Sequence, residues 1–361
     1  MENNILDKHN YALDVLRIIA CLCIVLTHIS CYGVADTSLA APKTIFSIND
    51  FQVYNFCSSI SYYAVIIFIM ISGSFLLDPN IELTKEKLNK HITKIVKLFL
   101  IFSLFGIVCE IVFKSYFDNY HFTFFELLDK FITGEGHLWY LYMVLGLYIL
   151  TPILRKISSD DVALNEFIVI GFFVSVVIGS INILYPNTLL SSVVGKLHLD
   201  LVTGYSVYYL LGYKLRTISE RHSEFNNINA IIILSFIYLC SILATFYLTA
   251  YNKIINNNMQ DSPYYSLFFI ASALAAISLF CISLIINKKH RFINTKLIRR
   301  MSSYTTGIYC IHYYVISYLL KFNDFNFNAP LRVAIIFVLT ILISSIGTFI
   351  CKKIPFIKDV V

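Results

Sequence analysis

The chain has 361 residues, 58 % of them hydrophobic and 14 % charged, with a formal net charge of +6. Its apolar runs are longer than a soluble core helix needs, which excludes a water-soluble domain and points to an all-α, polytopic membrane bundle forming one domain. The positive balance requires no nucleic-acid partner, because the basic residues are spread over loops and are explained by orientation across the membrane.

A hydrocarbon layer of roughly 30 Å takes about 20 helical residues. Cut between clusters of charge, Asn and Pro, the sequence predicts ten spans: 11–32, 56–77, 95–116, 137–154, 162–184, 200–215, 229–250, 265–286, 305–322 and 331–351. The sixth, LDLVTGYSVYYLLGYKL, is short and polar, and losing it would reverse everything downstream. With the N-terminus cytoplasmic, twenty of the 28 Lys and Arg fall on the inner side and seven on the outer, with Arg17 inside a span. This bias supports ten spans and two cytoplasmic termini. The first apolar segment lacks a basic leader and is read as a retained anchor.

That first span, LDVLRIIACLCIVLTHIS, carries Asp14, Arg17 and His28. Eleven steps of about 100° bring His28 back to within roughly 20° of Arg17, some 16 Å further along the axis, and Asp14 lies on the same stripe. A central Asp or Arg costs about 2.5–3.5 kcal/mol even on a lenient insertion scale, so the stripe faces the bundle interior. It offers a cation toward the inner side and a base toward the outer side. An unperturbed imidazole pKa of about 6.5 suits His28 to accept a proton near neutral pH. Asp14 and Arg17 also suit a purely structural buried pair.

Further along, FIMISG ends the second span at Ser72 and Gly73, and KEKLNKHITKIVK brings Lys85, Lys87, Lys90 and Lys94 to the inner side. GHLWYLYMVLGLYILTP opens the fourth span with His137 and Trp139, and SSYTTGIYCIHYYVI places Tyr309 and His312 in the ninth. Most of the nine cysteines fall inside spans without metal-type spacing, so no metal is expected; Cys31 and Cys57 are the pair able to meet at the outer surface. No internal repeat or Gly-rich phosphate loop is present.

Arginine, ten intervening residues and histidine in a first span preceded by Leu-Asp resembles the signature of the membrane acyltransferase 3 family. The Ser-Gly ending of span two, the His-Leu-Trp segment, YYLLGYKL and the Ile-Tyr-x-x-His element follow in the family's order over nearly the full length. The cations after Ser-Gly are mostly Lys where the family often has Arg, and Lys binds phosphate as a point charge without a bidentate fork.

The resemblance implies transfer of an acyl group, often acetyl, from cytoplasmic acetyl-CoA to a hydroxyl of an extracytoplasmic glycan or lipid-linked saccharide, in the plasma membrane of a bacterium. His28 matches the family histidine, as base or as transient acyl carrier. Arg17 matches the family arginine, oriented by Asp14, and holds the donor or the developing oxyanion. Ser72, Gly73, His137, Trp139, Tyr309 and His312 are candidates for substrate contact, and Lys85, Lys87, Lys90 and Lys94 for the acyl-CoA nucleotide. A transporter or flippase for a lipid-linked sugar is the competing reading, since intramembrane Arg and His also mark transport pathways. The absence of repeated halves and of matched broken spans counts against it.

Overall fold

The computed structural model describes residues 10–36, 38–117, 121–186, 189, 192–193, 196, 203–221, 227–256, 262–289, 295–321 and 327–361. Among these the fold is helical, with no strand. Eight helical segments are long and apolar enough to cross a membrane. The sixth and ninth predicted spans are present as shorter helices, α9 (Gly204–Arg221) and α13 (Thr305–Lys321). Both are enclosed by other helices: Tyr208 and Tyr209 of α9 and Cys310 and His312 of α13 have no exposed surface. A helix surrounded by protein tolerates polar residues that lipid would not.

The predicted second span is two helices, α2 (Asp50–Ser59) and α3 (Ala64–Leu76), separated by a turn. Its serines explain the break. The Ser59 hydroxyl donates to the Asn55 carbonyl and the Ser61 hydroxyl to that of Cys57, so side chains engage the carbonyls where the helical ladder fails. The third span starts ten residues earlier than predicted, as α4 (Lys85–Phe117).

Two amphipathic helices outside the predicted spans are α5 (Phe124–Thr133), which opens with a Thr123–Glu126 capping box, and α12 (Thr295–Ser302). The remaining spans are α1 (Tyr11–Ala35), α6 (Trp139–Ser158), α7 (Asp161–Phe172) continued through a π-helical turn into α8 (Gly179–Leu184), α10 (Ile228–Ile255), α11 (Ile270–Lys289) and α14 (Ala329–Cys351). Residues 200–202 of the predicted sixth span lie outside the described residues. Cys31 and Cys57 are free thiols, so the disulfide considered for them is not formed.

One end of the bundle collects the cations, and they bind it together. The Arg155 guanidinium donates to the carbonyls of Leu76 and Ile81, and Arg216 donates to that of Ser74, so two cations cap the end of α3 where carbonyls lack helical partners. Lys214 and Arg221 pair with Asp161, and Lys352 donates to Ser303. At the centre, α3 and α9 cross with their backbones nearly touching. A Cβ on Gly73 would lie 1.9 Å from the Tyr209 carbonyl oxygen, and one on Gly212 would lie 2.1 Å from that of Met70. Only glycine fits at either position.

Candidate active site

The site begins at the cation-rich end of α1. One Arg17 nitrogen donates to Asp14 Oδ1 at 3.1 Å and to Ser302 Oγ at 3.2 Å, and the Ser302 hydroxyl donates to the same carboxylate oxygen at 2.8 Å. Asp14 is 5 % exposed. The i, i+3 spacing supplies the first contact, but Ser302 arrives from the end of α12, 285 residues away. The carboxylate thus steers the guanidinium from two directions.

The half-buried Arg17 side chain looks into a cavity of about 250 Å³ shared with Ser72, His91, Lys94, Tyr140, Tyr148, Thr305, Thr306 and Tyr309, with Ile24, Phe68 and Leu98 as its apolar flank. Cations and hydroxyls line one part of it and hydrocarbon the rest. Among the described residues none of its lining is acidic. Such a lining suits an anionic group that carries a less polar arm.

A histidine cluster lies beyond this cavity. The His28 ring centre is 5.1 Å from that of His312 and 5.5 Å from that of Tyr313. His137 stacks on Tyr313 at 4.9 Å and approaches His312 at 5.5 Å. His137 Nε2 faces the Cys310 carbonyl at 3.2 Å and His312 Nδ1 faces the Tyr309 carbonyl at 2.6 Å, so in the neutral rings those nitrogens carry the hydrogen. The other two nitrogens, His137 Nδ1 and His312 Nε2, are buried lone-pair acceptors without a hydrogen-bond partner among the described residues. The Tyr309 hydroxyl donates to the His137 carbonyl and anchors the turn that precedes α6.

On the far side a second pocket, about 450 Å³, is lined by Tyr32, Glu110, Lys114, Glu135, Tyr313, Tyr314, Ser317, Tyr318 and Lys321. Glu110 accepts from Lys114 at 3.0 Å and from Lys130 at 2.6 Å. The Tyr314 hydroxyl donates to the Phe102 carbonyl and that of Tyr318 to the Cys109 carbonyl, which fixes α13 against α4.

The register of two helices places the histidines in the wall between these cavities. On α1, Ile24 lines the cationic cavity and Tyr32 the far pocket, and His28 is one turn from each. On α13, Tyr309 lines the first and Tyr313 the second, with His312 between them. Arg17 and His28 therefore lie on the same side of α1 and inside the protein. Neither cavity is lined by His28 or His312; Tyr313, beside His28, lines the far pocket, and Tyr309, beside His312, lines the cationic cavity.

The other predicted site residues divide. Ser72 and Lys94 line the cationic cavity, whereas Lys85, Lys87 and Lys90 are exposed outside it, and Lys87 donates to the Glu82 carbonyl. Gly73 does not face the cavity: it is consumed by the crossing with α9, where its missing Cβ is the point. Trp139 is 39 % exposed and packs near Tyr140 and Tyr205, outside both cavities. Sequence reasoning missed His91, Tyr140, Tyr148, Ser302, Glu110 and Glu135. A signal existed for His91 alone, which precedes Lys94 by three residues and so shares its helix face. Among the described residues no group of three His, Cys, Asp or Glu is placed to hold a metal ion.

No curated protein and no solved structure matches the chain significantly. A family model described as an acyltransferase domain does match, over residues 10–349, nearly the whole length. A buried cation-and-histidine site inside a helical membrane bundle accords with that match, and the chain belongs to this membrane acyltransferase family.

Proposed function

We propose that the protein is an O-acyltransferase that moves an acetyl group from cytoplasmic acetyl-CoA to a hydroxyl of a glycan or lipid-linked saccharide on the outer side of a bacterial plasma membrane. The observation that carries this reading is the position of His28 and His312 in the wall between two cavities of opposite character. Under the positive-inside rule the cation-rich end is cytoplasmic. A polyanionic thioester then enters beside Arg17, His91 and Lys94, with its pantetheine arm along Ile24 and Phe68 toward the histidines. The acceptor enters the pocket bounded by Tyr32, Glu135 and Tyr313.

In this reading the acceptor hydroxyl gives its proton to the His28 imidazole as its oxygen bonds to the thioester carbonyl carbon, and the C–S bond then breaks, with the thiolate taking the proton. In the two-step form the imidazole nitrogen attacks first, the thiolate leaves and takes the ring N–H proton, and the acyl-imidazole passes the group to the acceptor oxygen, whose proton returns to the imidazole. Arg17, fixed by Asp14 and Ser302, holds donor phosphate or steadies the oxyanion.

The test uses purified protein in lipid vesicles with labelled acetyl-CoA and envelope glycans, compared with His28→Ala. Label should reach the glycan only with the unmodified protein. Equal transfer by both removes His28 from the reaction. If no label moves while glycan crosses the bilayer, the protein is a transporter.

A further inference from the structure

The three histidines of the wall differ in what they have left to give. Backbone carbonyls hold two of them: His137 Nε2 faces that of Cys310 at 3.2 Å, and His312 Nδ1 faces that of Tyr309 at 2.6 Å. A carbonyl only accepts, so each of these nitrogens carries its ring's hydrogen, and the opposite nitrogen is a bare lone pair. No hydrogen bond among the described residues holds the His28 ring.

The partner of His312 Nε2 follows by elimination. The residue has no exposed surface, and this nitrogen has no partner among the described residues. Leaving a buried acceptor unpaired is costly, so a donor within reach is expected. Among the described residues three rings approach that of His312: Tyr309 at 5.9 Å, His137 at 5.5 Å and His28 at 5.1 Å. The Tyr309 hydroxyl is spent on the His137 carbonyl. His137 has a committed hydrogen and a lone pair, and two lone pairs do not bond. His28 remains. An N–H···N bond of about 2.9 Å between two imidazoles sets their centres roughly 5 Å apart, which is how these two rings stand, and a turn of the unheld ring closes the bond.

Resting on the acyltransferase reading, we infer that His312 is the positioning residue for His28: its Nε2 accepts the N–H of the His28 ring and so presents the other His28 nitrogen as the lone pair that takes the acceptor proton. The Tyr309 carbonyl fixes His312, and His312 fixes His28, so the base is oriented by a third group. No proton passes to His312. In the direct route the acceptor O–H bond breaks toward the presented nitrogen as the new C–O bond forms, and the same nitrogen returns that proton to the thiolate when the C–S bond breaks. The hydrogen of His312 stays on Nδ1 throughout.

The experiment uses two amides that divide the His312 ring between them. In His312→Gln the amide oxygen stands near the place of Nε2 and accepts from His28, whereas in His312→Asn the amide N–H stands near the place of Nδ1 and serves only the Tyr309 carbonyl. Transfer is measured with the purified full chain in lipid vesicles, labelled acetyl-CoA and envelope glycans. His312→Asn should lower kcat roughly tenfold to a hundredfold, part of the 10²–10⁴ that a positioned base contributes, with both KM values held within about twofold. His312→Gln should recover to within about fivefold of the unmodified protein, because the acceptor is restored. Asparagine equal to or better than glutamine overturns the inference and leaves the acyltransferase standing, since the ring then serves only the Tyr309 carbonyl. A second readout needs no variant of His312: nitrogen NMR of the unmodified protein with isotope-labelled histidines should show a single neutral tautomer in the signals that His28→Ala removes. A mixture of both tautomers there overturns the inference. No transfer by the unmodified protein overturns the acyltransferase reading, and the inference with it.

Discussion

The two cavities that meet at the histidine cluster are built on different principles. The cavity at the cation-rich end is small and carries Arg17, Lys94 and His91 with no acidic residue among its described lining, so its character is cationic. The far pocket is larger and sets Glu110 and Glu135 among Lys114 and Lys321, with Tyr32, Tyr313, Tyr314 and Tyr318 around them. Paired charges and aromatic rings there would suit a neutral, hydroxyl-rich molecule held by shape and hydrogen bonds, as the proposed acceptor requires. The difference teaches that one bundle can keep a cationic cavity and a charge-balanced one apart with a histidine wall between them; under the proposed function one would hold a substrate by its anionic end and the other by its surface.

The sharpest way to break this division is to remove His28, the proposed base in the wall. His28→Ala should lower acyl transfer by roughly 10²–10⁴-fold, the usual contribution of a positioned acid or base, with thermal stability in detergent measured alongside to separate loss of the base from loss of packing against His312 and Tyr313. Activity within tenfold of the unmodified protein would move the base to His312 or His137.

The next effect belongs to the anion site. Arg17→Ala should raise the KM for acetyl-CoA roughly ten- to a hundredfold, the loss expected for a hydrogen bond to a charged group, and leave the acceptor KM unchanged. Arg17→Lys should recover only part of this, since a point charge cannot serve Asp14, Ser302 and the ligand as a planar fork does.

A smaller change separates lysines by position. Lys94→Ala should raise the donor KM several-fold to about tenfold, whereas Lys90→Ala, exposed and outside the cavity, should alter it by less than about twofold. Equal effects would mean that cytoplasmic charge acts as a diffuse field and the cavity does not select.

The smallest expected effect is at the far pocket. Glu135→Gln keeps the side chain's shape and should shift the acceptor KM by about two- to tenfold while the donor KM holds, as one hydrogen bond changes character. A donor effect of the same size would erase the distinction between the cavities.

Hydropathy, charge bias and helical periodicity are local properties, and what depends on them was legible in the chain. Those properties determined that the protein is a helical membrane bundle, that Asp14, Arg17 and His28 share one side of the first helix, and that the basic loops gather at one end. The shared face follows from about 100° per residue, and the buried stripe from the cost of charge in lipid.

Contacts between distant segments were not legible, because no local pattern records which helix packs on which. Ser302 reaches Arg17 across 285 residues, and His137 meets the Cys310 carbonyl across 173. Packing also turned Gly73 from a candidate contact into the place where α3 and α9 touch, and took Lys94 into a cavity that Lys85, Lys87 and Lys90 do not enter. The sequence by itself determined which polar groups had to be hidden from lipid. The tertiary structure alone decided that the histidines among them are hidden in a wall between two cavities, because only the register of α1 against α13 brings His28 and His312 together.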